Sequence, residues 1–137
     1  MASLESVHVL LVGDNQHTRA ITSAILQSAG IRKVREAHDG AAALEALRDH
    51  PVDLAIVDFN MFPLDGVEFT RLVRNSPDSA NPYLPIIMMT GHSDKRRVTE
   101  ARDAGVTEFV TKPVTPQALL TRIQAVIMRP RAFIRGG

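Results

Sequence analysis

The chain has 137 residues, of which 45% are hydrophobic and 23% are charged, and its formal net charge is +1. These values indicate one globular domain and exclude wholesale disorder, and the near-neutral charge gives no argument for nucleic-acid binding. The absence of cysteine excludes disulfides and thiolate metal sites. Because no signal peptide or membrane span of about 18 apolar residues is present, we expect a soluble, cytoplasmic protein.

Five short apolar runs alternate with five helical patterns along the chain. The strands are predicted at about 7–12, 31–37, 53–57, 85–89 and 107–111. The helices are predicted at about 15–29 and 41–49, from 65 onward, at about 93–104, and from 116 onward. This alternation predicts right-handed crossovers and an α/β fold with a doubly wound, five-stranded parallel sheet.

Capping residues mark several of the expected helix ends. Asp65 and Glu68 have the spacing of a capping box at the start of the third helix. Ser93 is the expected cap of the fourth helix, and Thr115, followed by proline, is the expected cap of the fifth. Gly105 stands where a helix commonly ends in a left-handed residue.

Four predicted strands lead into a residue with a reactive side chain. These residues are Asp14, Asp58, Thr90 and Lys112. In open α/β sheets the ligand site lies at the carboxyl ends of the strands, so these side chains are expected to converge. Two carboxylates, a hydroxyl and an ammonium suit a divalent cation and a phosphoryl group. The alternative for Asp14 is that it caps the first helix.

The same residues carry a resemblance to a known family. Val57-Asp58-Phe59-Asn60-Met61 followed by Asp65-Gly66, then Met89-Thr90-Gly91 and Thr111-Lys112-Pro113, resembles the receiver domain of bacterial two-component response regulators. The resemblance implies a flavodoxin-like (βα)5 fold with strand order 2-1-3-4-5. It also implies a receiver domain over 1–128, which leaves a basic tail over 129–137.

The resemblance assigns a role to each site residue. Asp58 is expected to accept a phosphoryl group from a sensor histidine kinase or a histidine phosphotransfer protein. The ligands of Mg²⁺ would be Asp14, Asp58 and the main-chain carbonyl of Asn60. Thr90 and Lys112 would stabilise charge on the transferring group. In this family the bond between Lys112 and the proline after it is typically cis.

The resemblance also describes how such a protein signals. Phe109 occupies the position of an aromatic switch; the alternative is an ordinary core phenylalanine. The protein would be a regulator, not an enzyme, which signals to a downstream protein through the fourth helix, fifth strand and fifth helix. No direct DNA binding and no membrane contact are expected, and the protein would be a monomer or a phosphorylation-dependent dimer. Basic residues of the fourth helix favour an acidic partner or, alternatively, form a solvated face.

Three positions depart from the family pattern or leave a choice open. The family usually has two adjacent acids after the first strand, but here Gly13 precedes Asp14, so we expect weaker Mg²⁺ binding with phosphorylation retained. The alternative is a pseudo-receiver, a binding module that is not phosphorylated. Phe62 replaces a usual proline and is expected to pack locally, with a partner contact as the alternative. His92 either makes the acyl-phosphate lifetime pH-sensitive or is an ordinary loop histidine.

Enzymes on the same fold are the remaining alternative. An aspartate-nucleophile phosphatase would carry a second aspartate two residues after Asp58, and Asn60 stands there, so the general acid is missing. The chain has no Gly-x-Gly-x-x-Gly or P-loop lysine motif, so flavin or nucleotide binding is not expected.

Overall fold

The computed structural model describes residues 4–128, and the predicted tail over 129–137 lies outside these residues. The strands are β1 His8–Val12, β2 Lys33–Ala37, β3 Leu54–Asp58, β4 Ile86–Thr90 and β5 Glu108–Thr111. The helices are α1 Gln16–Ser28, α2 Gly40–Asp49, α3 Gly66–Asn75, α4 Val98–Ala104 and α5 Pro116–Met128, with 3-10 helices at Leu4–Ser6 and His92–Arg97. All strand pairs are parallel, in the order β2-β1-β3-β4-β5. The predicted flavodoxin-like fold and strand order are confirmed.

The sheet is covered by helices on both faces, which explains its apolar strands. Every residue of β3 and β4 is buried, whereas β2 lies at the edge and exposes three of its five residues. Successive residues of a strand point to opposite faces. Val9 and Leu11 accordingly join one core cluster with Ile25 of α1 and Ile123 of α5. The neighbouring residues of β1 join a second cluster with α2 and α3.

Most of the predicted helix ends are confirmed. Asp65 and Glu68 form a reciprocal capping box, in which each side chain accepts the other residue's main-chain N–H, at 2.8 and 3.1 Å. The N–H of Ala118 donates to Thr115 Oγ1 at 3.3 Å at the start of α5. Gly105 ends α4 with a φ of +113°, in the left-handed region that favours glycine.

The prediction that Ser93 caps the fourth helix is wrong. The chain turns directly after β4 into the 3-10 helix His92–Arg97, so Ser93 lies inside that helix. The neighbouring Asp94 accepts the N–H of Gly91 at 2.7 Å instead. The capping acceptor is thus a buried carboxylate, and α4 itself is only seven residues long. Within residues 4–128, no helix combines the length and apolarity that a bilayer crossing requires.

Candidate functional site

The predicted site residues meet at the carboxyl edge of the sheet. Asp58 and Thr90 are the last residues of β3 and β4, while Gly13 and Lys112 directly follow β1 and β5. The N–H of Lys112 donates to the carbonyl of Thr90 at 2.8 Å. This bond belongs to the pair of Thr90 with Thr111, and it fixes the main chain of Lys112 beside the end of β4.

Asp58 is a buried carboxylate whose two oxygens have different surroundings. Its Oδ1 lies 2.8 Å from Lys112 Nζ and accepts the main-chain N–H of Asn60 at 3.0 Å. The residue is 3% exposed, so these contacts compensate for burying its charge. Within residues 4–128, Oδ2 has no hydrogen-bonding partner, and it lies on the side of Gly13, 3.9 Å from the point where a Cβ at position 13 would stand. One oxygen of the carboxylate is therefore held, and the other remains available.

Asp14 directly follows Gly13 in the chain and is exposed. Its carboxylate has no hydrogen bond or ion pair with any other residue between 4 and 128. It does not cap α1, because the cap is Asn15, whose Oδ1 accepts the N–H of Thr18 at 3.0 Å. The alternative role for Asp14 is thereby excluded, and its carboxylate is free to bind a ligand.

The donor set fits Mg²⁺ without forming a preassembled cage. No three His, Cys, Asp or Glu side chains in the described part of the chain cluster in a way that would hold a metal ion. Mg²⁺ is usually held by one or two carboxylates together with waters and phosphate oxygens. Asp14 and the Oδ2 of Asp58 offer such hard oxygen donors.

Gly13 leaves room that a side chain would fill. A Cβ at this position would stand 3.5 Å from the Cβ of Asp58 and 3.8 Å from the Cγ of Arg19, which are ordinary van der Waals distances. The guanidinium of Arg19 donates through Nη1 to the carbonyl of Gly13 and through Nε to Glu36 at 3.0 Å. The site thus has a second cation nearby, which the sequence did not reveal because Arg19 reads as an ordinary residue of α1.

Thr90 and Phe109 lie on the last two strands of the sheet, β4 and β5. Thr90 is 4% exposed, and its hydroxyl makes no hydrogen bond within residues 4–128. Phe109 is half-buried. It packs against a small cluster between the sheet and α4, formed by Phe59, Val67, Met88, Ala101, Ala104 and Val106. The aromatic ring therefore belongs to the same packing unit as the residue directly after Asp58.

Asp94 is a further site residue that sequence reasoning missed. It is 5% exposed, and its two oxygens lie 3.1 and 3.0 Å from Nδ2 of Asn60. Because it also accepts the N–H of Gly91, it joins the loop after β3 to the loop after β4. The sequence offered two adjacent capping-type residues here, and nothing in it distinguished Asp94 from Ser93.

Arg97 and Arg74 join α3 to the region around α4. Arg97 lies 4.9 Å above the ring centre of Phe59 and donates to Glu100 at 3.0 Å. That hydrogen bond raises the pKa of Arg97 and lowers the pKa of Glu100. Arg74 is buried and donates to the carbonyl of Gly105 through Nε and Nη2, at 3.1 and 2.8 Å. Burial lowers the pKa of Arg74 to about 10.

Phe62 and His92, for which the sequence left a choice open, are both exposed. Phe62 is 82% exposed, so the prediction that it packs locally is wrong. The peptide bond between Phe62 and Pro63 is cis. The bond between Lys112 and Pro113 is also cis, as expected. His92 is exposed in the segment after Thr90.

Comparisons with known proteins agree with this arrangement. Residues 9–124 match the family model of the response regulator receiver domain, and the chain therefore belongs to this family. It is 33% identical over 121 residues to a chemotaxis protein CheY of Pseudomonas aeruginosa, covering 88% of this chain and 96% of that protein. The chain is a CheY-like receiver domain of two-component signalling.

Solved structures give the same result. The structure of the chemotaxis protein CheY4 of Vibrio cholerae superposes with a TM-score of 0.79 at 34% identity, covering 88% of this chain and 98% of that one. The receiver domain of a sensor histidine kinase of Pseudomonas aeruginosa, solved with a magnesium ion coordinated in the active site cleft, superposes with a TM-score of 0.76 at 27% identity. These alignments cover 86% of this chain and 94% of that domain.

Proposed function

We propose that this chain is a phosphorylation-dependent switch that accepts a phosphoryl group on Asp58 from a sensor histidine kinase or a histidine phosphotransfer protein. The observation that carries the proposal is the unequal treatment of the Asp58 oxygens. Lys112 and the N–H of Asn60 hold Oδ1, whereas Oδ2 has no partner within residues 4–128. A carboxylate that is buried, oriented and still partly free is a competent nucleophile.

The reaction is an in-line transfer between two side chains. A carboxylate oxygen of Asp58 attacks phosphorus, the bond from phosphorus to the donor's histidine nitrogen breaks, and an acyl phosphate forms. The Lys112 ammonium, which lies 2.8 Å from Asp58, would move to a phosphoryl oxygen, and the Thr90 hydroxyl would donate to another. Both contacts stabilise charge that the transfer brings into the pocket.

The metal ligands in this proposal are Asp14, Asp58 and the main-chain carbonyl of Asn60. Bound Mg²⁺ would supply charge neutralisation for the carboxylates and the phosphoryl oxygens. The proposal is supported by the free carboxylate of Asp14 and by the magnesium-containing cleft of the related receiver domain. The lack of an acid at position 13 favours weaker Mg²⁺ binding than in a receiver with two acids.

The output would be a protein surface. Phe109 packs in the cluster between the sheet and α4, so a movement of its ring would reach the face formed by α4, β5 and α5. We assign 1–128 to the receiver domain, and we propose a cytoplasmic regulator, not an enzyme. It would act on a downstream protein without binding DNA or a membrane itself, as a monomer or a phosphorylation-dependent dimer.

Uptake of a phosphoryl group from acetyl phosphate tests the proposal. With Mg²⁺ present, the intact mass of the chain is expected to rise by one phosphoryl group, and Asp58→Asn is expected to abolish the rise. Asp49→Asn serves as the matched control, because Asp49 is an exposed acid at the end of α2 and should leave the uptake unchanged.

The second candidate is a pseudo-receiver, which the contacts of Gly13 favour. Position 13 lacks a carboxylate, and the guanidinium of Arg19 contacts the carbonyl of Gly13. Both features oppose the binding of Mg²⁺. A chain that takes up no phosphoryl group, yet binds its partner equally well as wild type and as Asp58→Asn, would support this candidate over the first.

A further inference from the structure

Strand β2 forms one edge of the sheet, and among residues 4–128 it pairs only with β1. The carbonyl of Ala37 accepts the N–H of Gly13 at 3.1 Å, so the main chain of Ala37 faces β1. Main-chain groups alternate between the two sides of a strand, and the N–H and C=O groups of Val34 and Glu36 therefore face outward. An edge of this kind is a template on which one further strand can pair.

A groove of about 880 Å³ follows this edge. Three cations and two imidazoles line it, and these side chains belong to Arg32, Lys33, Arg35, His8 and His50. His8 and Lys33 are the first residues of β1 and β2, so the groove lies toward the amino ends of the strands, away from Asp58. Because β2 and β5 are opposite edges of the sheet, the groove is also separate from the face formed by α4, β5 and α5.

The three cations of the groove are not neutralised within the described part of the chain. They are exposed, and among residues 4–128 their side chains form no ion pair or hydrogen bond. Glu36 is the one acid among the described residues that line the groove, and it is paired with Arg19 at 3.0 Å. The neighbouring Asp53 accepts the main-chain N–H of His8 at 2.8 Å. A set of like charges that the protein leaves unpaired attracts an anionic partner.

The positions of these charges match the geometry of an added strand. Lys33 and Arg35 are two positions apart and therefore share one face of β2, the face of His8, which lies opposite Lys33 on β1. Val34 lies on the other face, where it packs half-buried against the core cluster of α1 and α5. A strand added at about 4.8 Å from β2 would bring its own alternate side chains beside Lys33 and Arg35. Two acids with an apolar residue between them would fit this pattern.

We propose that the outer edge of β2 is a docking site for an extended acidic segment of a partner protein, which joins the sheet as a further strand and pairs its alternate carboxylates with Lys33 and Arg35. A second copy of this chain does not fit, because pairing of two β2 edges would bring like charges together. Nucleic acid or anionic lipid would meet the cations but leave the outward C=O groups of β2 without matching donors. An extended peptide satisfies both the charges and the main-chain groups.

Binding of a synthetic peptide tests the charge pairing. The probe is a fluorescently labelled peptide in which glutamate alternates with valine, and the full chain is titrated into it while anisotropy is followed. Lys33→Gln combined with Arg35→Gln should weaken binding by roughly two- to thirtyfold, the factor that corresponds to two cross-strand charge pairs. The matched control is Arg48→Gln combined with Arg71→Gln, which removes two exposed charges of α2 and α3 outside the groove and should leave the affinity near wild type.

Two further measurements test the main-chain pairing. When the peptide binds, the amide protons of Val34 and Glu36 should gain protection from hydrogen exchange, because their N–H groups face outward. Val34→Pro removes one of these donors and keeps every charge, and proline is tolerated on an edge strand where the N–H faces solvent. This variant should lose saturable binding of the peptide. If it does not fold, a peptide that is N-methylated at alternate residues blocks the same pairing from the partner's side and should also fail to bind the wild-type chain.

The contrary outcomes are distinct. Equal binding of a peptide with glutamine in place of glutamate, or an unchanged affinity when Lys33 and Arg35 are both replaced, would overturn the acidic partner. Equal binding of the N-methylated peptide would overturn strand addition. Tighter binding of a single-stranded oligonucleotide or of phosphatidylserine vesicles, lost in the same double variant, would assign the groove to nucleic acid or a membrane surface instead. None of these measurements depends on phosphorylation of Asp58, so the proposed switch and this inference can fail separately.

Discussion

The two sides of Asp58 are built from different kinds of contact. On the side of β4 and β5, Lys112, Asn60 and Asp94 form a continuous set of hydrogen bonds between 2.8 and 3.1 Å. On the side of β1, Gly13 borders the unpartnered Oδ2, and Asp14, the next residue in the chain, is exposed. The side whose donors would hold the phosphoryl oxygens is thus preorganised, whereas the side that would receive the metal is sparse and has Arg19 nearby.

This difference suggests how a receiver can lose one acid and keep its chemistry. Electrostatic stabilisation of the transferring group depends on donors that are already in position, and those donors are present. Metal binding depends on how many carboxylates surround the ion, and one of them is missing. We therefore expect phosphoryl transfer to be retained, with a dependence on a higher Mg²⁺ concentration.

The largest expected change is a loss in the rate of phosphoryl uptake when Lys112, on the preorganised side of Asp58, is replaced. Lys112→Ala removes the ammonium that lies 2.8 Å from Asp58, and loss of one such stabilising donor lowers a rate by roughly 100-fold or more. The measurement is the initial rate of phosphoryl uptake from acetyl phosphate at saturating Mg²⁺. Lys95→Ala, an exposed lysine of the 3-10 helix before α4, is the control. A rate within twofold of wild type for Lys112→Ala would show that the comparison of the two sides is wrong.

A smaller change, a gain in Mg²⁺ affinity, is expected when an acid is added at position 13 on the sparse side of Asp58. Gly13→Asp adds a carboxylate at a position where a Cβ would meet its neighbours at no less than 3.5 Å, an ordinary contact distance. An added acid that holds the metal through water should raise Mg²⁺ affinity by about tenfold, as outer-shell ligands commonly do. Titration with Mg²⁺ checks this, with Gly13→Asn as the uncharged control. No gain over Gly13→Asn would mean that charge at this position does not limit binding.

A still smaller gain in Mg²⁺ affinity is expected when the positive charge of Arg19 is removed from the sparse side of Asp58. Arg19→Gln removes a positive charge that contacts the carbonyl of Gly13, and Mg²⁺ affinity should rise by roughly two- to fivefold because one repulsive charge is lost. Arg19→Lys keeps the charge and should stay near wild type. Equal affinities for Arg19→Gln and Arg19→Lys would exclude an electrostatic role for this residue. Arg48→Gln, an exposed cation of α2, controls for net charge.

The smallest effect concerns stability. Asp65→Ala removes the capping box of α3 and should lower the free energy of unfolding by about 1 kcal/mol. Thermal or urea unfolding measures this loss, and Asp78→Ala, in the exposed loop after α3, should cost little. Because the cap lies outside the contacts of Asp58, the rate of phosphoryl uptake by the folded variant should stay near wild type. A large loss of uptake would mean that the preorganised side extends into α3.

Sequence reasoning succeeded where a feature is local or periodic. The buried runs that became β1, β3 and β4 are continuous and apolar because both faces of the sheet are covered. The ends of such strands must meet at one edge, so Asp58, Thr90 and Lys112 could be brought together before any coordinates. The capping box of α3 was equally readable, because its two residues are three positions apart.

The residues that sequence reasoning missed or misjudged depend on contacts between distant segments. Asn60 and Asp94 are 34 positions apart and meet only once two loops are folded, and no periodicity links them. Arg19 reaches Gly13 and Glu36 from what looks like an ordinary helical position. Phe62 was expected to pack locally, but 82% of the residue is exposed.

The location of phosphoryl uptake is the most direct test of the account. After incubation with acetyl phosphate and Mg²⁺, proteolysis and mass analysis should find one phosphoryl group, on the peptide that contains Asp58 and on no other. Uptake on a different peptide, or a chain that stays unmodified at saturating Mg²⁺ in both wild type and Gly13→Asp, would contradict the assignment of Asp58 as the acceptor.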